Sequence, residues 1–380
     1  MKVLITGARA PVAIDLARAF HAAGHHVELA DCIRPFAASA LPFSPALHRL
    51  PAPCSHFDAF ASRMAEIITH GRFDLVVPTC EEVFWLAAAA ERGHWTDRLL
   101  APELPLLRRL HSKAEFPLLL AECGLKAPRT MRLDTPPDPT QFPDLSSLVF
   151  KPEFSRFATH TLIGPSASAL ARVNASPNHR WVAQQRIHGE EICSWAVMHG
   201  GRTTAHIAYR PRWRHGYAAA YGMEAVDCPA AETVARRIGE VTGMTGQIAF
   251  DMILDAVGEV WPIECNPRAV SGLHFFDAKP ELAQAMAFGR SLDPPASGTL
   301  RHMAPAMALL GIPAATSARK LTTLWDDWRN GFDVIARGQT AVALGSLADA
   351  AQFAALALRK RVSPAGATTD GIEWDGRPIV

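Results

Sequence analysis

Residues 251–268 read Asp251-Met-Ile-Leu-Asp-Ala-Val-Gly-Glu-Val-Trp-Pro-Ile-Glu264-Cys-Asn266-Pro-Arg268, and this stretch decides the fold. Residues 247–254 are rich in apolar side chains and Asp255-Ala-Val-Gly258 has turn chemistry. Residues 259–264 resume an extended pattern, so the spacing predicts two strands joined by a turn. Alternation along the second strand puts Glu264 and Asn266 on one side and Trp261 and Cys265 on the other. The hairpin returns Asp251 toward Glu264, 13 positions later (264 − 251). Two carboxylates and an amide oxygen converging there repel one another unless a cation sits between them. Hard oxygen donors of this kind suit Mg²⁺, which keeps few protein ligands and takes the rest from phosphates. The same spacing also fits a surface hairpin with scattered charges, because strand alternation routinely exposes acids.

Bulk properties narrow the class. The 380 residues allow two to three domains of about 100–200 residues each. Apolar residues at 49% are ample for buried cores and exclude a disordered chain. A net charge of +1 argues against a general nucleic-acid or membrane surface. The seven cysteines are scattered without a C-x-x-C pair, which fits a reducing compartment and no structural zinc. Met1-Lys-Val-Leu-Ile-Thr-Gly7 reads as a buried strand rather than a signal peptide. No run of about 18 apolar residues stands out, so no transmembrane helix is expected. The expectation is a soluble, cytoplasmic α/β protein.

The first hundred residues alternate strand and helix. Strands are expected at 2–6, 26–30 and 73–78, with helices at 11–23, 57–70 and 82–91. That order implies a parallel sheet with crossover helices. Residues 34–53, rich in Pro, Ala and Ser, read as a long loop with one short strand, and 104–124 as two helices around His111-Ser-Lys113. Residues 128–147, dense in Pro and Asp, read as a loop. Strands follow at 147–151, 181–186 and 191–199, the last ending at a Gly200-Gly201 turn, and a helix at 230–242. The last ~90 residues are helical and rich in Ala and Leu in places, and end in a Gly/Pro tail around Trp374.

Several short motifs carry chemistry. Thr6-Gly-Ala-Arg-Ala-Pro11 lies between a strand and a helix, and Asp31 ends the next strand, where a ribose-binding acid of a dinucleotide fold would lie. The turn lacks G-x-G-x-x-G, and a plain strand–helix turn is the favoured reading. Val149-Phe-Lys151-Pro152 ends a strand with one cation, and a lysine in an apolar strand either has a partner or reaches solvent. Lys113 alone is unremarkable. Residues 181–191, with Gln184, Ile187, Gly189 and Glu191, form an extended piece ending in a charged turn. Tyr209-Arg210-Pro-Arg212-Trp-Arg214-His215-Gly216 gathers cations among aromatics, either as a pocket for an anionic substrate or as a solvated basic loop. Ser271-Gly-Leu-His274 follows Arg268 and is expected to line the same cavity, with His274 either a general base or a packed histidine.

Taken in order, Lys113, Lys151-Pro152, Gln184-x-x-Ile187-x-Gly189-x-Glu191 and Asp251…Glu264-x-Asn266-x-Arg268 resemble the ATP-grasp superfamily of carboxylate-activating ligases over about residues 100–290. The metal motif is similar to that of carbamoyl-phosphate synthase and biotin carboxylase, and D-alanine ligases share its Asp…Glu-x-Asn part. The resemblance implies an α/β chain, α+β in its ATP-binding lobes. A βαβ domain at 1–105 would precede the ATP-grasp domain at 106–290, with a mobile central lobe at about 125–190. Residues 291–380 would form a C-terminal extension of unassigned role. The resemblance implies ATP and two Mg²⁺ ions, with Mn²⁺ as an alternative metal.

By the same resemblance, Lys113 and Lys151 contact the ATP phosphates, Gln184 and the Ile187 backbone meet adenine, and Glu191 binds the ribose. Asp251, Glu264 and Asn266 hold the metals. Arg268 steadies an acyl phosphate or the acceptor carboxylate by a planar contact. Lys151, Arg268 and His274 form the implied catalytic set, and Arg210, Arg212, Arg268, Ser271 and His274 the implied substrate contacts. Two departures stand out. The loop after Lys151, Pro152-Glu-Phe-Ser155-Arg156-Phe-Ala-Thr159-His160, has no glycine, so Ser155, Arg156 and Thr159 would supply side-chain donors instead. The arginine that D-alanine ligases carry two residues before the first metal acid is replaced by Ala249.

The implied reaction joins a small-molecule carboxylate to an amine through an acyl phosphate, releasing ADP and phosphate. The alternatives are a bicarbonate-activating enzyme and a nucleotide-binding protein without turnover. Neither nucleic acid nor a membrane is an expected partner; a homodimer is the assembly to test.

Overall fold

The computed structural model describes residues 1–155, 160–214 and 220–379. Its first sheet grows from the apolar runs Lys2–Thr6 and His26–Asp31, which pair in parallel. Leu47–Arg49 and Leu75–Val77 close the two sides, giving four parallel strands with Lys2–Thr6 and His26–Asp31 inside. Helices Pro11–Ala22, Phe36–Ser39 and Phe57–Gly71 lie in the crossovers that parallel pairing requires, and Val83–Gly93 follows the last strand. Pro11 sits in the first helical turn, where its missing N–H costs nothing. Asp31 is not free for a ribose: it accepts from the Arg9 backbone N–H at 2.9 Å and from Arg9 Nε at 3.0 Å.

The second sheet has seven strands, in the order Val260–Asn266, Gly246–Leu254, Glu190–His199, Arg202–Arg214, Ala220–Val226, Leu300–His302 and Phe332–Asp333. All neighbours are antiparallel except the last pair. The Gly200-Gly201 turn joins two of its central strands. A third, smaller sheet orders Thr130–Leu133, Trp181–Gln185, Leu148–Pro152 and Leu162–Ile163, all antiparallel. Thr130–Leu133 corrects the expectation of a loop at 128–147. Its local sequence is poor in strand signals, and it is extended because it pairs along Trp181–Gln185.

The C-terminal residues are helical in part, with Ala318–Asn330 and Thr340–Lys360, but they also supply the last two strands of the large sheet. By length and composition Thr340–Lys360 is long and apolar enough to cross a membrane, contrary to the expectation that no such segment exists. Here it lies along the short Phe36–Ser39 helix, whose first N–H groups, those of Phe36 and Ala37, donate to Asp349 at 2.8 and 2.9 Å. A carboxylate at a helix start satisfies donors that have no intrahelical partner.

Glu28, on the second strand, supplies a pH-dependent contribution to stability. Burial pushes its carboxyl up, but hydrogen bonds from Lys2, His48 and His26 outweigh that and hold it at about 2, below its ordinary 4.5. A depressed carboxylate stabilises the fold above the unfolded-state value, and that contribution is lost as pH falls through the folded-state value. Acid titration of the circular dichroism signal should therefore show a shallower loss of stability between pH 4.5 and 2 for Glu28→Gln than for the wild type.

Candidate active site

In the Gly246–Leu254/Val260–Asn266 hairpin, Asp251 and Glu264 are directly paired across the strands. The next pair is Met252 with Pro262, so the register skips Ile263. Pro262 has no N–H to give the ladder, and a bulge at this point leaves a carbonyl available. Lys151 uses it, donating from Nζ to the Ile263 oxygen at 3.0 Å. Lys113, just beyond the Leu104–His111 helix, reaches Glu264 Oε1 at 3.4 Å and donates to the Ser155 carbonyl at 3.0 Å. Both lysines are almost fully buried.

These four charges set one another. Burial pushes the Lys151 ammonium down to about 8, and Glu264 offsets part of that. Burial also raises Glu264, but Lys113 and Lys151 outweigh it and the net direction is down. Asp251 moves the other way: burial, then the charges of Glu264 and Glu191, push its carboxyl up. Asn266 adds a neutral donor set, with Nδ2 donating to Asp251 Oδ2 at 3.3 Å. The two paired carboxylates are hard oxygen donors of the kind Mg²⁺ takes, while the Asn266 amide oxygen accepts from Arg268 Nη2. Among the described residues no group of three or more His, Cys, Asp or Glu side chains forms a complete cage, so the remaining ligands would come from phosphate or water.

Arg268 is oriented from the first sheet. Its Nε donates to Glu81 Oε1 at 2.9 Å, and its Nη2 donates to Asn266 Oδ1 at 3.3 Å. Glu81 lies just past the Leu75–Val77 strand, at the carboxyl edge where open α/β sheets place functional groups. Sequence reasoning passed over it; the available signal was an acid pair, Glu81-Glu82, directly after a buried strand.

A cavity of about 480 Å³ gathers most of these groups, although Lys113 is not among its lining residues. Lys151, Gln184, Ile187 and Glu191 line it together with Asp251, Glu264, Asn266, Arg268 and Ser271. Gln184 is buried and donates from Nε2 to Thr130 Oγ1 at 3.0 Å. Glu191 accepts from Arg214 Nη1 at 2.6 Å, which brings Arg214 to the cavity as well. Tyr209, which opens the basic run read from the sequence, and Cys193, which was not singled out, also line it, and the Cys193 thiol donates to Asp251 Oδ1 at 3.4 Å.

Other expected residues stand elsewhere. His274 is fully buried, with Nδ1 at 2.8 Å from Asp15 Oδ2, and Arg337 bonds the same carboxylate. It is a packed histidine holding the Pro11–Ala22 helix, not a base in the cavity. Arg210 and Arg212 do not line the cavity. Arg210 pairs with Glu190 at 2.7 Å, while Arg212 meets Asp327 at 2.8 Å and Glu224 at 3.0 Å. Their partners come from distant chain segments, so the basic run is neutralised in place. Ser155 returns its hydroxyl to the Pro152 carbonyl at 3.3 Å instead of pointing into the cavity. Arg156, Thr159, His215 and Gly216 lie outside the described residues.

No protein-family model matches the sequence, and no curated protein matches it. Solved structures do. The chain is similar to an L-amino acid ligase from Bacillus licheniformis at 17% identity, covering 75% of this chain and 73% of that one with a TM-score of 0.57. A phosphoribosylamine–glycine ligase from Thermotoga maritima matches at 15% identity over 79% and 78% of the two chains, TM-score 0.56. An N5-carboxyaminoimidazole synthetase from Staphylococcus aureus, complexed with ADP, matches at 11% identity over 82% and 85%, TM-score 0.62. The fold is the ATP-grasp fold.

Two outcomes test the geometry. A proton competes with a cation for a carboxylate whose affinity for protons is raised, so Mg²⁺-dependent nucleotide binding should weaken as pH falls from 7.5 to 5.5. Calorimetric titration checks this, and Asp251→Asn should flatten the pH dependence. Separately, His274→Ala should lower the unfolding free energy in urea by roughly 3 kcal/mol, because it strips a partner from a buried carboxylate.

Proposed function

We propose that this ATP-grasp chain is an ADP-forming ligase that activates a carboxylate as an acyl phosphate and passes it to an amine. The observation that carries this reading is the set of two buried lysines facing two paired carboxylates, with Arg268 at the same cavity. A carboxylate approaching the γ-phosphate of ATP brings anion against anion, and buried cations are worth most where water is excluded. Bound Mg²⁺ would polarise the phosphoryl oxygens and neutralise charge developing on them.

Lys113 and Lys151 would meet the phosphates from beside Glu264, against which Lys113 Nζ lies at 3.4 Å. Their own positions are fixed by carbonyl oxygens, Ser155 for Lys113 and Ile263 for Lys151, so little reorganisation is needed when the anion arrives. The attacking carboxylate oxygen forms a bond to γ-phosphorus as the bond to the ADP oxygen breaks. The amine nitrogen then attacks the acyl carbon, phosphate leaves, and the amine gives up a proton. Arg268, its Nε held by Glu81, presents its remaining N–H groups to the acyl phosphate or to a substrate carboxylate. The small antiparallel sheet with Lys151 and Gln184 covers one side of the cavity, which protects an acyl phosphate from hydrolysis.

The names of the similar structures support ligase chemistry, two of them being amino-acid or glycine ligases. Purified protein offered ATP, Mg²⁺ and amino-acid mixtures should release ADP and yield amide products detectable by mass spectrometry. ADP release that depends on bicarbonate alone would replace this reading with a carboxylating one, and ATP binding without turnover in any mixture would leave a binding protein. Glu264→Gln should cut ADP formation by about 100-fold or more while changing ATP affinity far less, since charge at the transferring phosphoryl group is what it removes. Undiminished activity in that variant would sink the metal assignment.

A further inference from the structure

The segment that follows Lys151 has no glycine, yet residues 152–155 are held tightly from three directions. Glu153 donates its N–H to the Arg180 carbonyl at 2.8 Å and accepts the Lys113 N–H at 3.3 Å, while its carboxylate accepts from Ser112 Oγ. Ser155 accepts from Lys113 Nζ. Between them, Phe154 enters a closed ring of four aromatic side chains drawn from four separate parts of the chain. Phe154 lies 6.0 Å from His111 and 5.1 Å from Trp374, edge to face in the second case. Trp374 stacks on Phe84 at 4.6 Å, and Phe84 meets His111 at 5.2 Å.

Trp374 belongs to the C-terminal tail, which is itself fixed to the first sheet and its helices. Ile372 O accepts from Trp85 Nε1 at 3.0 Å, Asp370 O accepts from Arg9 Nη1 at 2.8 Å, and Trp374 Nε1 donates to Arg377 O at 2.8 Å. That last bond folds the tail over the Phe154 ring. At its turn Gly376 has φ +92°, and a Cβ there would lie 2.3 Å from Phe154 Cδ2. Only glycine allows the tail to close on the ring in this way.

We infer that Trp374 and Gly376 are positioning residues for nucleotide binding: they hold Phe154, and through the flanking Glu153 and Ser155 they fix Lys113 against Glu264, which lines the cavity. The inference rests on the ATP reading above. It gives residues 364–379 a task in the site and accounts for a phosphate-side segment ordered by side chains rather than by glycines. Lys113 is the link, because its N–H and its Nζ bond the residues on either side of Phe154. A ring displaced by a methyl group carries both carbonyls with it.

Calorimetry of ATP with Mg²⁺ tests this on the full chain. Gly376→Ala should weaken ATP binding about tenfold, the scale expected when a binding group is misplaced from a distance. Gly298→Ala is the control: Gly298 has φ +83° but open space around it, so it suffers similar backbone strain without touching Phe154. It should lower thermal stability comparably and leave affinity unchanged. In the double variant Gly376→Ala/Phe154→Ala, affinity should be no weaker than in Phe154→Ala alone, because the effect passes through the ring. Wild-type affinity in folded Gly376→Ala overturns the inference, as does a double variant in which the two losses add. If Gly376→Ala does not fold, Phe154→Leu, which leaves the tail intact, must show the weakening, and wild-type affinity there is equally fatal. Absence of ATP binding by the wild type would instead defeat the ATP reading itself.

Discussion

Two ammonium groups buried against two carboxylates on adjacent strands are the constraint around which the rest of the molecule is arranged. Removing a charge from water costs several kcal/mol, and mutual attraction repays that only with good geometry and further hydrogen bonds. Lys113 and Lys151 each have one such further bond, to Ser155 O and Ile263 O. The second of these exists because the register slips at Pro262. The two lysines consequently push Glu264 down, whereas burial and then the charges of Glu264 and Glu191 push Asp251 up. Under the proposed function, that leaves a place for a cation arriving with the nucleotide.

The hairpin was legible in the sequence because it depends on local rules, whereas the two lysines and the Gln184–Glu191 segment stood out only by their order along the chain. Strand alternation fixes which side chains share a face, and a turn fixes which positions meet. What was not legible depends on partners far along the chain. His274 looked available for catalysis, but its partner Asp15 is 259 residues away. Arg212 looked like an anion contact until Asp327, 115 residues on, came to meet it. Glu81 passed unnoticed because nothing near it in sequence shows that Arg268 will arrive from the other sheet. The Thr130–Leu133 strand is the backbone version of the same lesson, since its extended form comes from the neighbour it pairs with.

The contact between Glu81 and Arg268 also explains why the first sheet matters to a site built largely on the second. An arginine at the end of a hairpin has many rotamers, and holding one of them costs conformational entropy. Here a fully buried carboxylate from another sheet takes Nε, and Asn266 takes Nη2, so the guanidinium plane is set before any ligand binds. The same first sheet receives the C-terminal tail through Arg9 and Trp85. The parallel sheet is thus a common support for Arg268 and for the C-terminal tail.

Glycine-rich segments hold phosphates with backbone N–H groups, because the missing side chain lets the main chain approach closely. A segment without glycine forgoes that close approach and must obtain its fixed shape by other means. In this chain Phe154 anchors the segment outward into an aromatic ring, while Lys113 bonds the residues on either side of it and turns its charge inward. Rigidity and charge, which a glycine-rich segment combines in one backbone, are here divided between an aromatic cluster and a lysine. Under the inference drawn above, that division ties the C-terminal tail to Lys113, because Trp374 joins Phe84 to Phe154 in the ring.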